Sequence, residues 1–271
     1  MLTQIINTKY REISQRKENM PLKMLEKQLE FSPVPRDFEG ALHSGKGVKV
    51  IAEVKKASPS HGKLNSSFGN DYSPGDIARY YQKNGAAAVS VLTDINYFGG
   101  SLEDMKEAKH VTEIPILRKD FIVDEYQLYE SRVMGADAVL LIVSCLKQER
   151  LEKLLSLSRG LKMSALVEVG TPEEVNRALQ AGSKIIGINN RDLNTLQVDL
   201  NRTLELAPLI SPGVLRVSES GIDNVEQVKR LRDEAGISAV LVGKSLITAD
   251  NPGEKIIELR LLEEEGGCGE E

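Results

Sequence analysis

From Val48 onward the chain alternates short apolar runs with amphipathic segments of helical period, which leaves few folds open to it. Strands are expected near Lys49–Val54, Ala88–Thr93, Ile116–Arg118 and Ala138–Val143. Four more are expected near Ala165–Val169, Ile185–Asn189, Leu215–Ser218 and Ala239–Val242. Helices fall between them, near Asp76–Asn84, Ser101–Lys109, Glu125–Met134 and Lys147–Ser158. The later helices fall near Pro172–Ala181, Asn201–Leu209, Asn224–Glu234 and Pro252–Glu264. Eight such units suggest a closed (β/α)8 barrel, and a doubly wound open sheet is the alternative.

Local chemistry marks several boundaries. Ser101-Leu-Glu-Asp104 and Thr171-Pro-Glu-Glu174 resemble capping boxes, the second with Pro at the first helical position. Gly85, Gly135, Gly160, Gly182 and Gly236 stand where a left-handed cap would stop each helix. The first 47 residues differ. Helical patterns near Leu2–Arg16 and Leu22–Glu30 precede the breaker Phe31-Ser-Pro-Val-Pro35, and a short helix at Asp37–Leu42 leads to the Gly45-Lys-Gly47 turn. No linker sets them apart. Residues 1–271 are therefore expected to form one domain, with 1–47 a helical extension across one end of the barrel and 263–271 a disordered acidic tail.

A length of 271 residues is ordinary for one such barrel. The net charge of −5 is matched by five acids at the tail, Glu263, Glu264, Glu265, Glu270 and Glu271. The body is thus formally neutral, without a basic field for nucleic acid or an anionic membrane. No apolar run approaches the roughly 18 residues of a bilayer span, and the start lacks the pattern of a signal peptide, so cytoplasm is expected. Cys145 and Cys268 form neither a metal-ligand spacing nor a disulfide framework, and Cys145 reads as an inert buried thiol. His43, His61 and His110 are scattered, which argues against a zinc site. No metal and no cofactor are expected.

The segment Ile51-Ala-Glu-Val-Lys-Lys-Ala-Ser-Pro-Ser60 places an acid and a base in an apolar strand. Ile51, Glu53 and Lys55 share one face by alternation. Burying such ions costs several kcal/mol each before pairing offsets it, a cost more readily kept where the pair does chemistry than in a plain internal bridge. Catalytic residues of a parallel barrel come from the carboxyl ends of several strands. Polar groups recur there: Lys119 after the third strand, Glu168 after the fifth, Asn189 and Arg191 after the sixth, Glu219 after the seventh. Scattered ion pairs would not converge on five strand ends. Two neighbouring loops, Ser220-Gly221 and Gly243-Lys-Ser245, expose backbone amides before a helical turn, a setting that favours phosphate.

These motifs closely resemble the indole-3-glycerol-phosphate synthase family, from the N-terminal helices to about Leu262. The resemblance rests on the segment from Ile51 to Ser60, on Leu-Thr-Asp followed by Tyr-Phe-Gly-Gly-Ser, and on Leu-Arg-Lys-Asp-Phe-Ile. It continues through Leu-Val-Glu-Val, Gly-Ile-Asn-Asn-Arg-Asp-Leu, Glu-Ser-Gly-Ile and Leu-Val-Gly-Lys-Ser-Leu. It implies a barrel lyase of tryptophan biosynthesis that cyclises 1-(2-carboxyphenylamino)-1-deoxyribulose 5-phosphate with loss of carbon dioxide and water. It also implies a general acid at Lys119, carboxylates at Glu53 and Glu168 that stabilise the ring cation and handle later protons, and a dehydration acid at Lys55. Asn189 and Arg191 match orienting groups, and Glu219 a carboxylate on the next strand end. Ser220, Gly221, Gly243 and Lys244 match a phosphate cradle; Phe98, Phe121 and Leu193 match the walls of an anthranilate pocket; Ser58 matches a further substrate contact. Without the resemblance, Phe98 and Phe121 read as core.

The sequence departs from the family at four places. His61 stands where many members carry a basic residue, Leu64–Pro74 is longer than usual, residue 244 is Lys, and there is no Trp. None of these removes a catalytic group. A phosphoribosyl-anthranilate isomerase-like barrel is a rival reading, but Cys145 has no matching position on the first strand for the acid-base pair it needs. A non-catalytic sugar-phosphate binder is the other, and it leaves Glu53, Lys55, Lys119 and Glu168 structural. The expected partner is a phosphorylated small molecule, acted on by a monomer with at most weak self-association.

Overall fold

The computed structural model describes residues 2–43, 47–55, 57–58, 62–63, 68, 73–193 and 195–261, with the backbone alone for 57–58 and 62–63. Eight parallel strands form the sheet: β1 (Lys49–Val54), β2 (Ala88–Leu92), β3 (Ile116–Lys119), β4 (Ala138–Ile142), β5 (Ser164–Val169), β6 (Ile185–Asn189), β7 (Leu215–Glu219) and β8 (Ala239–Val242). Each pairs with its sequence neighbours, and β1 pairs with both β2 and β8, so the sheet closes and the open-sheet alternative falls. Registers such as Ile142↔Glu168 and Asn189↔Glu219 bring the polar strand ends to one rim.

Alternation along each strand sorts two cores. Val50, Ala52 and Val54 face outward into the layer between sheet and helices, which also takes Ile77, Met105, Leu154 and Val228 from the helices. Ile51, Leu117, Leu166 and Val217 face inward and fill the barrel. Two residues further along the same inward faces stand Glu53, Lys119, Glu168 and Glu219. One periodicity therefore builds both the plug of the barrel and the floor of the site above it.

The N-terminal segment packs on the barrel through three helices. Helix α1 (Leu2–Asn19) brings Leu2 and Ile5 to the polar rim. Helix α2 (Leu22–Gln28) packs along the flank against the helix Glu125–Val133. Helix α3 (Phe38–His43) leads toward the start of β1 and lends Phe38 and Leu42 to the interior core. Gly85, Gly135, Gly182 and Gly236 do have positive φ. Gly160 does not: it is the last residue of the helix Gln148–Gly160, and the left-handed residue is Lys162. Ser101 and Thr171 cap as expected through their hydroxyls, but Glu174 turns to the Gly170 amide at 2.7 Å. Reciprocal capping boxes form instead at Asp124 with Gln127 and at Asn224 with Gln227.

Candidate active site

A cavity of about 630 Å³ opens at the carboxyl ends of the strands. Glu53, Lys55, Phe98, Lys119, Phe121, Glu168, Asn189, Arg191, Leu193, Glu219, Ser220, Gly221, Gly243 and Lys244 all line it. Ser58 lies on a two-residue strand paired with Gly62–Lys63, and its side chain, like all of His61 and most of Leu64–Pro74, lies outside the described residues.

Charge is arranged unevenly across the floor. Lys55 Nζ sits 2.7 Å from Glu53 Oε1, a tight pair. Burial alone would raise the Glu53 carboxyl, but Lys55, Lys119 and Arg191 outweigh it and hold it below its ordinary range. Lys119 is looser: its Nζ stands 3.8 Å from Glu168 Oε2 and 3.9 Å from Glu219 Oε2, beyond hydrogen-bond reach of either. Burial opposes its charge, yet Glu168, Glu219 and Glu53 outweigh that and raise its pKa, so it stays an ammonium. Its side chain keeps 18% exposure, toward the cavity.

Glu219 is the opposite case. It is buried, and neither carboxyl oxygen has a hydrogen-bond partner among the described residues. Burial, with the Glu168 carboxylate beside it, pushes it up to about 8 against the pull of Lys119. At 3.9 Å its Oε2 stands beyond hydrogen-bond reach of Lys119 and leaves that ammonium unclamped. Glu168 is positioned by Asn189, whose Nδ2 donates to Glu168 Oε1 at 3.0 Å while its Oδ1 accepts from the Arg191 amide at 2.9 Å. The Arg191 side chain is itself tied to the Leu196 carbonyl at 2.9 Å.

The other side of the cavity presents backbone. Ser220 and Gly221 both have positive φ, and a Cβ on Gly221 would lie 2.3 Å from Val198 Cγ1. Asn190 Nδ2 holds the Ser220 carbonyl at 3.0 Å. Gly243 starts the short helix Lys244–Ile247, whose first amides have no acceptor within the helix. The two loops are joined where Ser245 Oγ donates to the Ile222 carbonyl at 2.7 Å. Opposite them, the Phe98 and Phe121 rings lie 6.2 Å apart and tilted by 40°, and Leu193 completes the apolar wall.

Sequence reasoning missed several contributors. A Cβ on Gly187 would lie 2.0 Å from Glu219 Oε1, so the glycine in β6 vacates the space that carboxyl occupies. Asp94, Asp120, Leu2 and Ile5 also line the cavity. Only Ile5 left a trace, as part of an apolar stripe with Ile13. Cys145 is partly buried and its thiol is pushed up to about 12 by that burial, in keeping with an inert thiol.

The sequence profile of indole-3-glycerol phosphate synthase matches residues 2–259. The chain belongs to that family. It is 46% identical over 263 residues to the indole-3-glycerol phosphate synthase of Polaromonas naphthalenivorans, covering 96% of this chain and 98% of the relative. It is 45% identical over 262 residues to that of Dehalococcoides mccartyi strain CBDB1, covering 96% and 99%. Among solved structures, the N-acetylmannosamine-6-phosphate 2-epimerase of Clostridium perfringens aligns at a TM-score of 0.57 and 19% identity, over 76% of this chain and 90% of that one. A thiamine phosphate pyrophosphorylase from Pyrococcus furiosus aligns at 0.58 and 14%, over 79% and 94%. These two show the fold alone. No described helix is long and apolar enough to cross a membrane.

Proposed function

We infer that the protein is an indole-3-glycerol phosphate synthase, which converts 1-(2-carboxyphenylamino)-1-deoxyribulose 5-phosphate to indole-3-glycerol phosphate, carbon dioxide and water in tryptophan biosynthesis. Family membership carries the reaction. The assignment of residues rests on one observation: a charged but unclamped Lys119 ammonium between Glu168 and Glu219 on the floor of the cavity.

The substrate's phosphate would lie against the backbone of Ser220–Gly221 and Gly243–Lys244, and its anthranilate ring against Phe98, Phe121 and Leu193. In that pose the ketone would stand over Lys119. The ring carbon bearing the carboxylate attacks the ketone carbon while Lys119 protonates the carbonyl oxygen, so no alkoxide has to form. Positive charge spread over the ring and nitrogen is met by Glu168 and Glu53. Loss of carbon dioxide returns the electron pair to the ring. Dehydration follows: Lys55 protonates the leaving hydroxyl, and a carboxylate takes a proton from the former methylene, which completes the indole.

A monomeric cytoplasmic enzyme, one domain over residues 1–271, acting on a diffusible phosphorylated substrate without nucleic acid, belongs to the same reading. The test is direct. The purified chain is mixed with the substrate and indole fluorescence is followed; no fluorescent product at micromolar enzyme would refute the reading.

A further inference from the structure

Lys9 stands in the middle of the buried face of α1, four residues from Ile5 and four from Ile13, and is 0% exposed. Its ammonium lies 2.7 Å from Asp94 Oδ2, 2.9 Å from Asp120 Oδ1 and 2.9 Å from Glu12 Oε2. Glu12 and Asp94 accept hydrogen bonds from it, and Asp120 pairs with it as a salt bridge. Burial opposes its charge, but Asp120 and Asp94 outweigh it and raise its pKa, so it stays an ammonium. A leucine would anchor the helix at less desolvation cost. The charge therefore calls for another explanation.

The two distant carboxylates supply one, since each already shapes the cavity wall. Asp94 caps the short helix Ile95–Phe98, its Oδ1 accepting from the Tyr97 amide at 2.7 Å, and that helix carries Phe98. Asp120 fixes the backbone between Lys119 and Phe121. Its Oδ1 accepts from the Phe121 amide at 2.8 Å, and its Oδ2 from Thr93 Oγ1 at 2.7 Å and Arg118 at 3.0 Å. One carboxylate holds the backbone of the turn that carries Phe98 and the other the backbone of Phe121; Lys9 pairs with both.

We propose that Lys9 is a positioning residue: by clamping Asp94 to Asp120 it sets the spacing of the Phe98 and Phe121 rings and so the seat of the anthranilate ring beside Lys119. The proposal rests on the reaction inferred above. Without Lys9 nothing ties Asp94 to Asp120, which Arg118 still holds, and the aromatic slot opens. The phosphate end, on β7 and β8, is left untouched because Lys9 makes no contact there. A helix anchor with no other role would lower thermal stability and leave the folded site unchanged.

The experiment uses the full chain with Lys9→Met, well below its melting temperature. N-methylanthranilate serves as the probe of the aromatic half and inorganic phosphate as the probe of the other. We expect the affinity for N-methylanthranilate to fall about tenfold and that for phosphate to stay within about twofold, with kcat/KM down about 10²-fold, a loss typical of small misplacements. Unchanged N-methylanthranilate affinity in the folded variant, or equal weakening of both probes, overturns the proposal. If Lys9→Met does not fold, Lys9→Met with Asp94→Asn restores the balance of buried charge and must show the same split; failure of both to fold assigns Lys9 to stability alone and also overturns it. A wild-type chain that does not turn over the substrate would break the inferred reaction. An active wild type with probes indifferent to Lys9 would break only this proposal.

Discussion

The Glu53 carboxylate occupies the space that a side chain on Gly243 would need: a Cβ there would lie 2.4 Å from Glu53 Oε1. Gly243 has no positive φ, so its conformation does not demand glycine. The close approach of Glu53 does. The Gly243 loop and the Glu53–Lys55 pair are thus built against one another.

Gly243→Ala should therefore act on chemistry as well as on binding. The methyl pushes Glu53 off Lys55, and we expect kcat to fall at least tenfold with phosphate affinity reduced less than that, a loss in the range for a misplaced catalytic group. Steady-state kinetics with phosphate as a competitor separate the two effects. A variant with unchanged kcat and a raised KM would place Gly243 in the phosphate site only.

Replacement of the exposed Lys244 by Ala should weaken phosphate only modestly, because the cradle is backbone. Gly221→Val should be far worse: its φ of +79° is closed to a branched residue and its Cβ would run into Val198. Competition by inorganic phosphate in both variants is the measurement. The reverse order of effects would rule out an amide cradle.

Much of this site was legible along the chain, and the part that was not has a common cause. Glu53, Lys119, Glu168 and Glu219 each follow an inward apolar residue by two, so strand alternation alone puts them on the floor. The roles of Gly187 and Gly243 were not legible, because the carboxylates they make room for, Glu219 and Glu53, come from other strands. Lys9 was hidden for the same reason: its partner Asp94 is 85 positions away. The cap at Gly160 was misplaced more locally. The helix ends with Gly160 as its last residue, and Lys162 takes the left-handed turn two positions on.

Glu219 gives the protein a pH signature. Its folded pKa of about 8 lies above the ordinary 4.5, so between those values the folded state binds the proton more tightly than the unfolded chain. Stability from this group is full below about pH 4.5, falls as pH rises through the window, and is lost above about 8. Glu219→Gln should therefore gain melting temperature relative to wild type as pH rises from 5 to about 8.5. Thermal melts across that range check it; a constant difference would mean that Glu219 titrates normally.

Activity should survive EDTA. Carbonyl activation comes from the Lys119 proton in this account, so no Lewis acid is called on. Loss of turnover in chelator, restored by one divalent cation, would assign the electrophile to a metal instead.

The most direct measurement is turnover by Lys119→Met, followed as indole fluorescence, alongside substrate binding by the same variant. Removal of a positioned general acid should cost roughly 10²–10⁴ in kcat. The fold should persist and the substrate should still bind, since the phosphate loops and the aromatic wall do not depend on Lys119. Near-abolished turnover with retained binding is the predicted result. Turnover close to that of the wild type would remove Lys119 from the mechanism and contradict the account.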